Sequence, residues 1–327
     1  MRPLAKKYLQ KAKTAYAQDR LSQAYKHLDA ALHIAPEDPK VLRCHIDFLK
    51  EKNLFEEAVN CLLQVLEKQP HQPALVLELA ELMINRLQQP NRALVWLNRL
   101  LHARCLKPKQ EQRVHELEAE ALLDQERFYE AWLKLRQALR KYPKNIKLLF
   151  WYGWSTLQLE RYYAAASTFQ KVLRLEPEYV DAHYYLGVAY EAMGEYSLMR
   201  KQFATTHHLD LLYRPEPCFS RVELAQIATQ ILREEWRLES PMIGLQLRNY
   251  PDSSILDEFP FDPRRMASLE RGYSASRKLS EAKDYLVLYL WNIERYCGKI
   301  EEVREEIHLL LQQEFDPPGG ADFPYSV

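Results

Sequence analysis

Apolar residues recur every three or four positions through the first two-thirds of the chain, a spacing that places them on one face of an α-helix. Ala165, for example, is followed four residues later by Phe169, in a stretch where a turn gives way to a helix. The same step from an alanine to a leucine joins Ala24 to Leu28, Ala58 to Leu62, Ala93 to Leu97 and Ala131 to Leu135. The pattern predicts a succession of amphipathic helices.

Two residue types share one long period. The alanines that begin these steps are 34, 35, 38 and 34 residues apart. Prolines that follow helix-length segments are 34, 38, 35 and 34 residues apart, at Pro36, Pro70, Pro108, Pro143 and Pro177. A proline cannot continue a helix, and a small residue lets two helices approach closely. Each period therefore predicts one helix–turn–helix unit whose second helix ends before the proline.

The period and its motifs resemble the tetratricopeptide repeat. Tyr184–Tyr190 matches the Leu-Gly-x-x-Tyr core of that repeat's first helix, and Trp151–Trp154 matches it one unit earlier. The resemblance implies an α-α superhelical solenoid over residues 1–212. Its repeats are predicted at 5–38, 39–72, 73–108, 112–145 and 146–179, with an atypical sixth from Val180 that carries Met199 at the small-residue position.

The same resemblance implies a groove, lined by the first helix of each repeat, that binds a polypeptide. The groove positions in this chain are Arg43, Asp47, Phe150, Trp154 and Tyr184. Aromatic side chains suit such a surface because they offer a large contact area at a small cost in conformational entropy. For Phe150 and Tyr184, packing against neighbouring helices is an equal alternative.

The remaining third of the chain has a different pattern. After a proline-containing linker that begins at Tyr213, a capping-box signature at Ser220 predicts a helix to about residue 238. Alternating or apolar runs predict strands at 242–248 and 285–290, and an amphipathic pattern predicts a helix at 300–315. This order predicts a small α+β domain over residues 213–327.

That order also resembles the minimal zincin-like metallopeptidases of bacteria, with Ser268–Tyr273 and Val287–Arg295 as the similar strings. Those enzymes carry His-Glu-x-x-His on the last helix, where two histidines hold zinc and the glutamate is the general base. Here Glu314 stands at the position of the base, but Gln313 and Pro317 replace the histidines. The resemblance therefore implies a domain without metal or catalysis, and no cofactor is expected.

The composition of the chain disfavours several classes of fold and function. The glycine count is low, 8 against 18 prolines, which disfavours a turn-rich all-β fold. Lysine plus arginine and aspartate plus glutamate both total 45, so the chain lacks the overall basic charge of a nucleic-acid binder. The sequence shows no apolar run of membrane-spanning length and no phosphate-binding motif, and its five cysteines are scattered. No nucleic-acid or membrane partner is expected.

The sequence therefore predicts a cytoplasmic adaptor that binds another polypeptide and is not an enzyme. One alternative is an active peptidase whose metal ligands lie outside the usual motif, at His308, Asp316 and Asp322, with the repeats recruiting its substrate. Another is self-association through the exposed ends of the solenoid.

Overall fold

The structure, a computed structural model, describes residues 3–18, 20–36, 38–68, 72–103, 106–213, 215, 218–235, 243–252, 262–270 and 284–315. By its internal contacts the chain divides into two compact units, Met1–Pro177 and Glu178–Val327.

The first unit consists of successive helix pairs that contact each other in chain order. The pairs are α1 (Pro3–Ala17) with α2 (Leu21–Ile34), α3 (Pro39–Glu51) with α4 (Phe55–Lys68), α5 (Pro73–Asn85) with α6 (Pro90–His102), α7 (Pro108–Leu123) with α8 (Phe128–Lys141), and α9 (Ile146–Gln158) with α10 (Tyr162–Leu175). These pairs follow the predicted repeats closely. Pro108 is an exception, because it begins α7 and does not follow the end of the preceding helix. Proline suits the first position of a helix because an N–H there has no partner within the helix, so its absence costs no hydrogen bond.

The repeated alanines lie where the two helices of a pair meet. All are buried: Ala24, Ala58, Ala93, Ala131 and Ala165. The large apolar residue one turn later is also buried in each pair, and Phe169 is fully so. A Cβ placed on Gly153 of α9 would lie 2.8 Å from Cε1 of that ring, so only glycine fits beneath it. The alanine positions predicted from the sequence are therefore buried in the structure, as close packing of the helices requires.

The turns inside four helix pairs of the first unit share a backbone feature with the turn between α11 and α12. One residue takes positive φ at Asn53, Gln88, Glu126 and Glu160, and Gly194 does so in the second unit. In most of these turns the next amide bonds back across the helix end, as from Arg161 N to Thr156 O at 3.1 Å. This is the Schellman arrangement, which satisfies carbonyls that the helix end leaves free.

The second unit begins with another helix pair and continues into mixed structure. Its elements are α11 (Val180–Ala192), α12 (Tyr196–Leu212), α13 (Arg221–Gln230) with a π-helical extension at Ile231–Glu235, β1 (Ile243–Arg248), β2 (Ala267–Glu270), β3 (Asp284–Tyr289), α14 (Leu290–Tyr296) and α15 (Ile300–Phe315). The predicted domain boundary followed residue 212. In the structure, α11 and α12 belong to the same compact unit as the elements after them.

The strands form one sheet in the order β1-β3-β2. β3 pairs in parallel with β1 and antiparallel with β2. Strand β3 is buried from Leu286 to Tyr289, and the core beside the sheet includes Leu224, Ile231, Ile293, Val303, Ile307 and Leu311. The sequence predicted β1, β3 and α15 but missed β2 and α14. Leu290 was predicted to end a strand and instead begins α14.

Candidate partner-binding surfaces

Arg43 and Asp47 lie one turn apart on α3 and form an exposed ion pair, with Nη2 and Oδ1 3.2 Å apart. Arg43 also bonds to Glu78 of α5, which accepts a second bond from Lys50 Nζ at 2.8 Å. About half of each side chain of the Arg43–Asp47 pair is exposed. The two predicted groove residues of the second repeat are therefore adjacent and accessible, and Arg43 links the first helices of neighbouring repeats.

A pocket of about 210 Å³ lies beside this pair, between α1, α2 and α3. Leu28 and Phe48 supply its apolar floor, and Lys13, Asp47 and Glu51 its charged rim. We call it the anchor pocket. Its volume suits one large side chain, and its rim carries two carboxylates against one ammonium group.

Phe150 is 5% exposed and does not offer a surface to a partner. Its ring packs against Phe169 at a centroid distance of 6.0 Å and against Trp151 at 5.1 Å. The prediction that Phe150 lines the groove is therefore corrected. The residue packs in the core, which was the alternative considered for it. Trp154 is half-buried and makes edge-to-face contacts with Phe128 and Trp151.

Tyr184 of α11 contacts the protein's own later residues. Its ring stacks on Phe203 at 5.7 Å, and its hydroxyl donates to Asp262 Oδ2 at 3.3 Å. The guanidinium of Arg264 lies 4.7 Å from the ring centroid. Burial raises the pKa of the Tyr184 hydroxyl well above its ordinary value, and the Asp262 carboxylate raises it further. A partner at Tyr184 would have to compete with residues 262–264.

A buried group of charges explains why α12 packs with the later elements. Asp210 accepts from Arg264 Nε at 3.0 Å and from the Tyr250 hydroxyl at 3.2 Å, and Arg295 Nη1 lies 3.1 Å from it. Arg264 also donates to Asp181 at 2.8 Å. We call these residues the Asp210 cluster. The sequence analysis did not find it, because its members are scattered from residue 181 to residue 295.

A second surface missed from the sequence is a basic groove between α8 and α10. Its pocket of about 310 Å³ lies over α9 and is lined by Arg136, Leu139, Arg140, Pro143, Leu149, Tyr152, Thr168 and Lys171. Two signals were present in the sequence: the four-residue spacing of Trp132, Arg136 and Arg140, and a local excess of positive charge. The local excess was overlooked because the positive and negative charges of the whole chain are equal in number.

The helix that would carry the peptidase motif is α15, and Gln313 lies in its last turn. The side chain of Glu314, together with Pro317, Asp316 and Asp322, lies outside the described residues. Within the described ranges, no three histidine, cysteine, aspartate or glutamate side chains are grouped to hold a metal ion. In that same part of the chain, no helix combines the length and apolarity needed to cross a bilayer.

Comparisons with known proteins support the repeat fold. Residues 116–171 match the family model described as tetratricopeptide repeat, and residues 156–194 match the one described as TPR repeat. No curated protein matches the chain.

Three solved structures illustrate the likeness. PilW, described as a widely conserved type IV pilus biogenesis factor, is 15% identical over 65% of this chain and 96% of its own, with a TM-score of 0.51. MamA from Desulfovibrio magneticus RS-1 is 18% identical over 53% and 96%, with a TM-score of 0.47. YrrB, described as a TPR protein with an unusual peptide-binding site, is 16% identical over 57% and 93%, with a TM-score of 0.44. The chain contains tetratricopeptide repeats in a mainly helical solenoid, followed by a small three-stranded sheet.

Proposed function

We propose that the protein is an adaptor that holds another polypeptide in the groove formed by the first helices of its repeats. The observation that carries this proposal is the anchor pocket, an apolar recess with Asp47 on its rim. Residue 47 is also a groove position by its place in the repeat. Repeats of this kind bury their apolar faces against neighbours and present an extended concave surface to ligands.

The lining of the anchor pocket supports a proposal for the ligand's chemistry. Its floor of Leu28 and Phe48 accepts an apolar side chain, since burying such a group is worth about 1.5–3 kcal/mol. Asp47 pairs with Arg43, but about half of its side chain is exposed, and Glu51 adds a second carboxylate to the rim. A basic residue next to the anchor would bind these two carboxylates. The proposed ligand is a peptide with a large apolar residue beside a lysine or arginine.

Selection from a displayed random-peptide library tests this proposal. The wild-type protein should enrich peptides with an apolar residue beside a basic one. The variant with Asp47→Lys and Glu51→Lys should lose that enrichment, because both rim carboxylates are replaced. Glu56→Lys with Glu67→Lys, two exposed carboxylates of α4, is the control with the same change in charge. Identical peptides from the wild type and the Asp47/Glu51 variant would refute the proposal.

The C-terminal part is proposed to be a zincin-like domain without catalysis, which offers a binding surface or caps the repeats. The support is the order α13, β1, β3 and α15, and Gln313 at a position where the motif requires histidine. Zinc analysis of protein without a histidine tag tests it. One tightly held zinc per chain, or chelator-sensitive cleavage of an unfolded protein, would instead favour the active-peptidase alternative.

Cytoplasmic location and self-association are separate proposals. Fractionation of the source cells tests the first. For the second, molar mass measured over a range of protein concentrations should rise with concentration if the solenoid ends associate.

A further inference from the structure

The basic groove between α8 and α10 combines an apolar floor with three cations. Leu149 is buried at its base, beside Leu139 and the ring of Tyr152. Arg136 and Arg140 come from α8 and Lys171 from α10, and all three are exposed. No carboxylate lines the pocket among the described residues. The groove therefore offers both hydrophobic burial and positive charge.

The positive charge extends beyond the pocket. Between residues 128 and 175 the chain carries nine lysines and arginines but only two glutamates, although the whole chain is formally neutral. Lys134 and Lys141 are paired with Glu118 and Glu111. In contrast, Arg136, Arg140 and Lys171 have no ion-pair partner in the part of the chain that the structure describes. These three charges remain available to a ligand.

Trp132 holds part of the groove in a fixed arrangement. The guanidinium of Arg136 lies 4.5 Å from its ring centroid, and that of Arg161 lies 4.7 Å from it. The rings of Tyr129 and Tyr152 stack against the same indole at 6.0 and 6.1 Å. Cation–π contact of this kind restricts an arginine side chain and lowers the entropy lost when it binds a carboxylate.

We propose that this basic groove is a second binding surface, for an acidic polypeptide segment that places one apolar side chain in the pocket. Carboxylates on either side of that residue pair with Arg136, Arg140 and Lys171. The volume of about 310 Å³ accommodates a leucine or phenylalanine side chain. The ligand differs from that of the anchor pocket, whose rim is mainly acidic, so the two surfaces can be tested independently.

The geometry favours a peptide over a nucleic acid. Proteins that bind single strands stack bases on free aromatic faces along a basic track. Here the indole of Trp132 is already in contact with two guanidinium groups and two tyrosine rings. The cations also surround one apolar pocket, which a sugar-phosphate backbone would not fill.

The test uses fluorescence anisotropy with the full-length protein and a labelled peptide, Ser-Glu-Glu-Leu-Glu-Glu-Ser. Matched peptides replace the glutamates by glutamine or the leucine by serine. The key variant combines Arg140→Glu and Lys171→Glu, which leaves the Arg136–Trp132 contact in place. We expect it to weaken binding about tenfold or more, since it places like charges against the ligand. Both matched peptides should also bind more weakly.

The control variant, Lys6→Glu with Lys7→Glu, makes the same change in net charge on exposed positions of α1. Circular dichroism and melting temperature verify that both variants fold. Binding that the two variants reduce equally, or equal binding of the glutamine peptide, would show only non-specific attraction and overturn the proposal. Absence of peptide binding by the wild type would also overturn it. Tighter binding of a single-stranded oligothymidylate, lost in the Arg140/Lys171 variant, would replace it with a nucleic-acid surface.

Discussion

Arg264 donates a hydrogen bond from Nε to Asp210 Oδ2 over 3.0 Å, and each side chain is only 3% exposed. The bond joins α12 to the segment that precedes β2, across 54 positions of sequence. Arg295 of α14 contacts the same carboxylate. Asp210 is therefore the shared countercharge of two arginines where the last helix pair meets the α+β elements, and Asp181 supplies a second carboxylate to Arg264.

Replacing that aspartate should loosen the second unit. Asp210→Asn preserves shape but leaves Arg264 and Arg295 without their shared countercharge, and breaking a buried ion pair costs about 3–5 kcal/mol. Asp181, half-exposed, still faces Arg264 and offsets part of this. Hydrogen exchange of peptides from α12 and α14 should accelerate. Asp252→Asn, at a carboxylate 76% exposed, is the control and should leave exchange unchanged. Equal exchange in Asp210→Asn and wild type would contradict the role given to this cluster.

Adding one methyl group beneath a buried ring should destabilise a repeat. Gly153→Ala places a Cβ against Phe169, and overpacking of this kind costs about 1–3 kcal/mol, more than alanine gains in helix propensity. Urea denaturation of the variant measures the loss. Gly298→Ala is the matched control, because the nearest atom to its added Cβ is 3.9 Å away. In the double variant Gly153→Ala with Phe169→Leu, the smaller side chain should relieve the clash, so the loss in free energy of unfolding should be less than the sum of the two single losses. If the two losses simply add, the steric explanation is wrong.

Two substitutions at turn residues with positive φ should change the melting temperature in opposite directions. Glu160 holds a conformation that costs an L-residue about 1–2 kcal/mol, so Glu160→Gly should raise the melting temperature despite the greater flexibility of the unfolded glycine chain. Gly194→Ala, at the equivalent turn of α11 and α12, should lower it. Differential scanning calorimetry distinguishes the two variants. A decrease for Glu160→Gly would mean that its side chain stabilises the turn by other contacts.

Glu118 predicts a dependence of stability on pH. Burial raises its pKa, but contacts with His115 and Lys134 lower it more, and the pKa lies below its ordinary value. Because the folded pKa is depressed, the carboxylate stabilises the fold above the unfolded pKa, and this contribution disappears as pH falls through the folded pKa. At neutral pH, Glu118→Gln should cost about 1–3 kcal/mol.

The free-energy difference between wild type and Glu118→Gln should shrink as pH falls from about 7 to about 3. Urea titrations at several pH values measure it. Glu130→Gln, at an exposed partner of Arg127, should give a small difference throughout. A gap for Glu118→Gln that stays constant down to the lowest pH would show that the carboxylate's charge is not the source of its stabilisation.

Much of the fold followed from local patterns. The helix predicted at 300–315 is α15, and the fifth repeat predicted from residue 146 begins where α9 begins. Such agreement is expected because a helix face and a turn are set by residues three and four positions apart. Strand β2 was missed because four residues carry too little alternation to be recognised without the partner strand β3.

The candidate surfaces also were predictable from the sequence only where they depend on short-range spacing. Sequence placed Arg43 and Asp47 on an accessible face, because both positions are fixed by the repeat register. It did not resolve the side on which Phe150 lies, since that depends on the ring of Phe169 from the next helix. The sequence by itself determined the helical repeats, their turns and their close-packing positions, all consequences of short-range spacing. Only the tertiary structure decided which charges meet: residues distant in sequence join the Asp210 cluster, and Arg140 and Lys171 share one groove, because their helices pack together.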